Sequence, residues 1–340
     1  ARYIEFHPAR WALPLLAAVV LGLSAGAAPA AEEYQLTDEG LEKVAAPDLN
    51  TPEGQLHPIR QAIAAEEYGD AIWLVNKWVK KYPNHPMRAE AYLLRANAKA
   101  GQKNYYKALF DYEYVIWAFP GSPQFNEALE QEFKIAEAFG NKVKRKLWGM
   151  RILPAAGEAE ELLIRVHERA PGSAIAERAG IELADFYFRR SEMGLAAEAY
   201  DLFLENYPNS QWREHALLRQ IQANLATFKG PRFDATGLME ARERLETFDR
   251  EYPASSEQVG GQALMTRIDA SLADKALEVA QWYDRRDMRV SATYMYSRVI
   301  RDYPKSAAAR MARERLRELD PDLFRERRGD VPPAEAAPGE

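Results

Sequence analysis

Cysteine is absent from all 340 residues. Its absence excludes disulfides, thiolate metal sites, a cysteine nucleophile and any lipid attached through cysteine. The compartment stays open, because a chain without thiols is comfortable in any redox environment. Histidine is scarce: His7, His57, His85, His167 and His215 are the five, with no HExxH and no pair at ligand spacing. A zinc site needs such a cluster, so no metal or other cofactor is expected. The G-x-S-x-G elbow and the P-loop are missing too, and Gly230-Pro231 and Gly260-Gly261 are single breaks rather than phosphate cradles. Excess positive charge is also lacking. Lys and Arg number 45 against 51 Asp and Glu, a formal net charge of −6. A nucleic-acid binder would carry a basic field, so no nucleic-acid partner is expected. Carboxylate pairs such as Glu66-Glu67 and Glu160-Glu161 fit exposed helix faces. These absences argue against an enzyme.

What is present begins with apolar side chain: 47% of residues are hydrophobic, enough for a core. Arg2 and Arg10 flank an uncharged stretch, Trp11 to Ala31, rich in Leu, Ala and Val. Ala28-Pro29-Ala30 offers an A-x-A cleavage site, followed by Glu32 and Glu33. The expectation is a signal peptide over 1–31 and an exported, periplasmic chain. The competing reading keeps the stretch as an anchor, since its length approaches a membrane span.

A repeat sits behind six prolines, Pro83, Pro120, Pro171, Pro208, Pro253 and Pro304. Twelve residues before each stands an alanine: Ala71, Ala108, Ala159, Ala196, Ala241 and Ala292. Eight before come Val75, Tyr112, Leu163, Tyr200, Leu245 and Tyr296; five before come Trp78, Val115, Val166, Phe203, Phe248 and Val299. Steps of four and three put these on one helical stripe, and the proline blocks continuation. The alanine permits close helix approach, where a larger residue would overpack by about 1–3 kcal/mol. A second helix precedes each, with Ala96, Ala136, Ala184, Ala223 and Ala280 at its contact point.

Helix, turn, helix, proline resembles the tetratricopeptide (TPR) pattern, so the fold class expected is all-α, a TPR-like α-solenoid of about six helix-turn-helix units with insertions. The prolines are 37, 51, 37, 45 and 51 residues apart. A base unit of about 37 places insertions near Gly140–Ala156 and Lys229–Thr236 and lengthens the leading helix between Glu257 and Arg285. The division expected is a signal peptide over 1–31, a flexible leader over 32–57, the array over 58–319 with a charged capping helix at 307–319, and a disordered acidic tail over 320–340.

Binding is the remaining role. One residue after each leading-helix alanine comes Asn97, Glu137, Asp185, Asn224 or Gln281, all polar between apolar neighbours. Two readings compete: ordinary solvent-facing polarity, or a ladder on the inner face that hydrogen-bonds an extended peptide. The segment Lys142–Arg151 carries five positive charges, among them Lys144 and Arg145, beside Trp148. It is either a solvated turn or a docking site for an acidic partner or an anionic membrane surface, extending over 142–152. Trp73, Trp212 and Trp282 read as core or groove packing.

The long units, the Tyr-Pro-x-Ser ends and the export signal resemble the BamD (YfiO-like) family of periplasmic TPR lipoproteins in the β-barrel assembly machinery. Asp185–Gly194 and Ala199–Ser210 are the most family-like stretches, and the resemblance covers about residues 58–316. It implies a scaffold without a cofactor that binds outer-membrane protein clients or barrel-assembly subunits. That family is tethered by a lipid on a cysteine, which these residues do not contain, so its membrane attachment is not carried over. Alternatives are a TPR partner of the Tol–Pal or cell-wall machinery, and the helical non-catalytic part of a peptidoglycan-cleaving enzyme.

Overall fold

The computed structural model describes residues 48–141 and 156–321, together with strands at 34–37, 40–43, 144–147 and 150–154. Among them are fourteen α-helices: α1 (His57–Ala64), α2 (Tyr68–Lys81), α3 (Arg88–Gly101), α4 (Tyr105–Ala118), α5 (Gln124–Gly140), α6 (Ala156–Arg169), α7 (Ala174–Arg189), α8 (Met193–Asn206), α9 (Arg213–Thr227), α10 (Thr236–Glu251), α11 (Pro253–Val259), α12 (Gly261–Asp284), α13 (Arg289–Asp302) and α14 (Ala307–Leu319). Each packs mainly on its neighbour in the chain, which makes an all-α solenoid of helical hairpins. Two antiparallel hairpins stand outside the repeats. β1 (Tyr34–Thr37) pairs with β2 (Gly40–Lys43), and β3 (Lys144–Leu147) with β4 (Met150–Pro154).

Local sequence sets both ends of each unit. The residue before five of the prolines leaves the helical region: Tyr82, Phe119, Tyr207, Tyr252 and Tyr303 have φ between −125° and −135° and ψ between 53° and 67°. Steric conflict with the proline ring forbids the α conformation there. After two of the prolines, Pro171 and Pro304, the serine two residues on caps the next helix. Ser173 accepts a hydrogen bond from the Ala176 N–H at 3.2 Å, and Ser306 from the Ala309 N–H at 3.0 Å. Such a cap contributes about 1 kcal/mol.

Within a unit, the turn between the two helices uses a left-handed residue that is not glycine. Glu66, Lys103, Ser191 and Asp287 have φ of 57° to 61°. Each lies 17 residues before its unit's proline: Pro83, Pro120, Pro208 and Pro304 respectively. The other two units carry extra chain at this point, the β3–β4 hairpin in one and residues 228–235 in the other. The leading helix of the last unit, α12, has 24 residues.

Packing follows the stripe. The six alanines ahead of the prolines and the five on the leading helices are all fully buried. Around them lie the largest buried side chains, including Tyr112, Tyr200, Tyr296, Phe203 and Phe248. Each such ring contributes roughly 1.5–3 kcal/mol on leaving water. The core runs without a break from α3 to α12, with smaller clusters at the two ends around Trp78 and around Tyr296.

Candidate protein-binding surface

The polar ladder is partly spent inside the hairpins. The Tyr112 hydroxyl donates to Asn97 Oδ1 at 2.7 Å, and the Asn97 amide donates to Glu127 at 3.3 Å. Tyr200 donates its hydroxyl to Asp185, and His215 Nε2 lies 2.9 Å from the same oxygen. Burial opposes ionisation of Asp185, yet the bonds from His215 and Tyr200 outweigh it and hold the carboxyl below its usual range. In the last unit the Tyr296 hydroxyl donates to Asp284 at 3.0 Å. Burial pushes that phenol up to about 12, with Asp284 adding to it. A buried tyrosine hydroxyl needs a partner, and a polar residue on the leading helix supplies it.

The other ladder positions lack that duty. Glu137 is half-buried, and burial pushes its carboxyl up, helped by Glu182. Gln281 lines an open cavity of about 390 Å³ with Asp284, Arg315 and Glu318. Asn224 is 2% exposed and its Nδ2 has no hydrogen-bond partner. It lies not on an open inner face but beneath a cleft between second helices. Lys144 and Arg145 sit on β3, with side chains outside the described residues, and Trp148 is outside them altogether.

The second helices α4, α6, α8 and α10 do not pack on one another; each pair rests on the leading helix between. The gaps are bridged by charge. Between α2 and α4, Arg95 rises from α3 to reach Asn76 at 2.8 Å and Asp111 at 2.7 Å. Between α4 and α6, Glu113 pairs with Arg165 and Arg169, and Arg169 also reaches Glu132 at 3.0 Å. Glu132 comes from α5, is wholly buried, and leaves Oε1 without a partner. Burial pushes its carboxyl up to about 8, and the Glu113 charge adds to this against Arg169 and Arg165.

The gap between α8 and α10 is different. Arg244 pairs with Asp201 across it, and Gln220 Nε2 on α9 donates to the same carboxylate at 2.8 Å. Beside this bridge remains a cavity of about 290 Å³, floored by Gln220 and Asn224. Small residues keep it open: Gly194 and Ala197 on α8, Gly237 on α10.

Exposed aromatics mark another part of the outer surface. Phe110 and Trp117 on α4 are 76% and 82% exposed, and Trp73 on α2 is 61% exposed. Trp73 therefore does not pack in the core, and Trp282 is also exposed, under Arg286 at 4.0 Å. Trp212 does pack against the core. The signal was available. Trp73, Phe110, Trp117 and Trp282 each come two residues after a buried stripe residue, about 200° around the helix. Among the described residues, no group of His, Asp and Glu could hold a metal ion, and no helix is long and apolar enough to cross a membrane. The signal stretch lies outside those residues.

Residues 155–323 match the family YfiO, described as an outer membrane lipoprotein. This chain is related to that family. The outer membrane protein assembly factor BamD of Pasteurella multocida is 24% identical to this chain over 161 residues, covering 44% of this chain and 62% of that protein. The C-terminal part of a TPR repeat-containing protein from Cytophaga hutchinsonii is similar at TM-score 0.39 and 14% identity, over 77% of this chain and 88% of that one. PilW, a type IV pilus biogenesis factor, gives TM-score 0.29 at 13% identity over 76% of this chain and 97% of its own. The YfiO match spans α6 to α14, so it includes the cleft between α8 and α10.

Proposed function

We propose that this chain is a periplasmic TPR scaffold that holds protein clients or partners during outer-membrane protein assembly. The observation that carries the reading is the match to YfiO over 155–323. A solenoid offers extended binding surface and no enclosed catalytic cleft, which suits a scaffold. The binding positions proposed are Asn224, Glu137 and Gln281, with Lys144, Arg145 and Trp148 as a separate docking segment. Asn97 and Asp185 serve chiefly to anchor Tyr112 and Tyr200 and so to fix the shape of the hairpins. Under this reading residues 1–31 direct export, and the array proper covers 58–319.

The test is photo-crosslinking of the full chain in envelope fractions, followed by identification of the captured proteins. Recovery of barrel-assembly subunits is the expected result. Recovery of Tol–Pal components alone would contradict it and favour a cell-wall partner.

A further inference from the structure

The cleft between α8 and α10 holds two hydrogen-bonding atoms that nothing satisfies. Gln220 is 3% exposed and commits its Nε2 to Asp201, which leaves Oε1 free; Asn224 Nδ2 has no partner. Each buried amide atom left unpaired costs about 1–3 kcal/mol, so the floor is poised for a polar occupant. One acceptor and one donor, four residues apart on α9, match the N–H and C=O of an extended backbone.

The rim supplies a second requirement. Glu198 on α8 and Glu240 and Glu243 on α10 line the cavity from opposite walls. Among the described residues none of the three forms an ion pair. Asp201 is already held by Arg244 and Gln220, so the three glutamates carry the uncompensated charge. A rim of one sign raises the local concentration of the opposite charge.

Space is guarded by two glycines in different ways. A Cβ at Gly194 would meet nothing within 4 Å, so that wall is open. A Cβ at Gly237 would strike Thr227 Oγ1 at 2.2 Å and the Asn224 carbonyl at 2.7 Å. Its absence lets α10 settle against the C-terminal turn of α9, which brings its glutamates over the floor.

The geometry points to a subsite for an extended peptide segment bearing a lysine or arginine, with the backbone on Gln220 and Asn224 and the cation among Glu198, Glu240 and Glu243. This rests on the protein-binding reading and names the chemistry of the partner.

The experiment titrates the full chain, by fluorescence anisotropy, with two blocked nonapeptides identical except for a central lysine or norleucine. The lysine peptide binds about tenfold tighter, the worth of one charge-assisted contact. A triple variant, Glu198→Gln with Glu240→Gln and Glu243→Gln, removes the preference; it alters exposed residues only, so folding is retained. Gly194→Phe weakens both peptides about tenfold by filling the cleft. Equal affinity for the two peptides, or a preference that survives in the triple variant, overturns the proposal. So does displacement by free 1,5-diaminopentane at the concentrations at which the lysine peptide binds, since the cleft would then be a site for small cations. If the lysine preference is missing while crosslinking still captures barrel-assembly subunits, this subsite falls and the scaffold reading stands.

Discussion

The gap between α4 and α6 and the gap between α8 and α10 are built on the same plan and finished differently. In both, two second helices stand apart on a leading helix, with a buried polar residue beneath. In the first, Arg165 and Arg169 reach across to Glu113 and down to Glu132, and charge fills the space. In the second, one bridge forms, Asp201 to Arg244, and glycine and alanine leave the rest empty. The closed gap is thus a strut, and the open one is available to a partner. The difference lies in side chains that the repeat does not constrain, so two units can share a backbone and divide structural and binding work between them.

The largest expected contrast comes from removing one cation in each gap. Arg169→Ala leaves the Glu132 carboxyl unpaired in the core, takes one partner from Glu113, and lowers stability by about 2–3 kcal/mol. Arg244→Ala leaves Asp201 with Gln220 and access to water, and costs about 1 kcal/mol or less. Urea midpoints of the two variants measure this, and equal losses would erase the distinction. Overpacking the seam should show no such asymmetry. Ala159→Leu on α6 and Ala196→Leu on α8 each lower stability by about 1–3 kcal/mol, because both alanines are fully buried against a neighbouring helix.

Acidity probes the closed gap alone. Glu132 has a folded value of about 8, above that of an unfolded carboxyl, so the folded state holds its proton more tightly. Its contribution is fully present below about pH 4.5 and is lost as pH rises towards 8. Glu132→Gln should therefore gain on the wild type as pH rises from 5 to 8, by on the order of 2 kcal/mol, read as melting temperature at each pH. A constant difference would mean that Arg169 keeps the carboxylate ionised throughout. The smallest effect concerns the shared frame. Ser191→Gly in the turn ahead of α8 should stabilise by about 0.5–1 kcal/mol, since only glycine adopts its φ of 61° without cost.

The frame of these two gaps was legible before the structure; their contents were not. The alanine at each close contact announces itself, because a larger side chain would overpack where two helices touch, and the proline fixes where each hairpin ends. The left-handed turn residues escaped notice because Glu66, Lys103, Ser191 and Asp287 share a backbone requirement but no side chain. Asn97 and Asp185 stood out as polar, yet their bonds to Tyr112 and Tyr200 join residues 15 apart, a distance that helical periodicity does not report. Glu132 and Gln220 carry no mark in the local sequence. What distinguishes them is which neighbouring helix covers them, and that is a property of stacking.

Hydrogen–deuterium exchange of the full chain, with and without the lysine nonapeptide, tests the contrast most directly. Slowed exchange over 193–206 and 236–251, with no change over 105–118 and 156–169, is the outcome these two gaps predict. Protection confined to 105–118 and 156–169, or shared equally between the two pairs of helices, would contradict it.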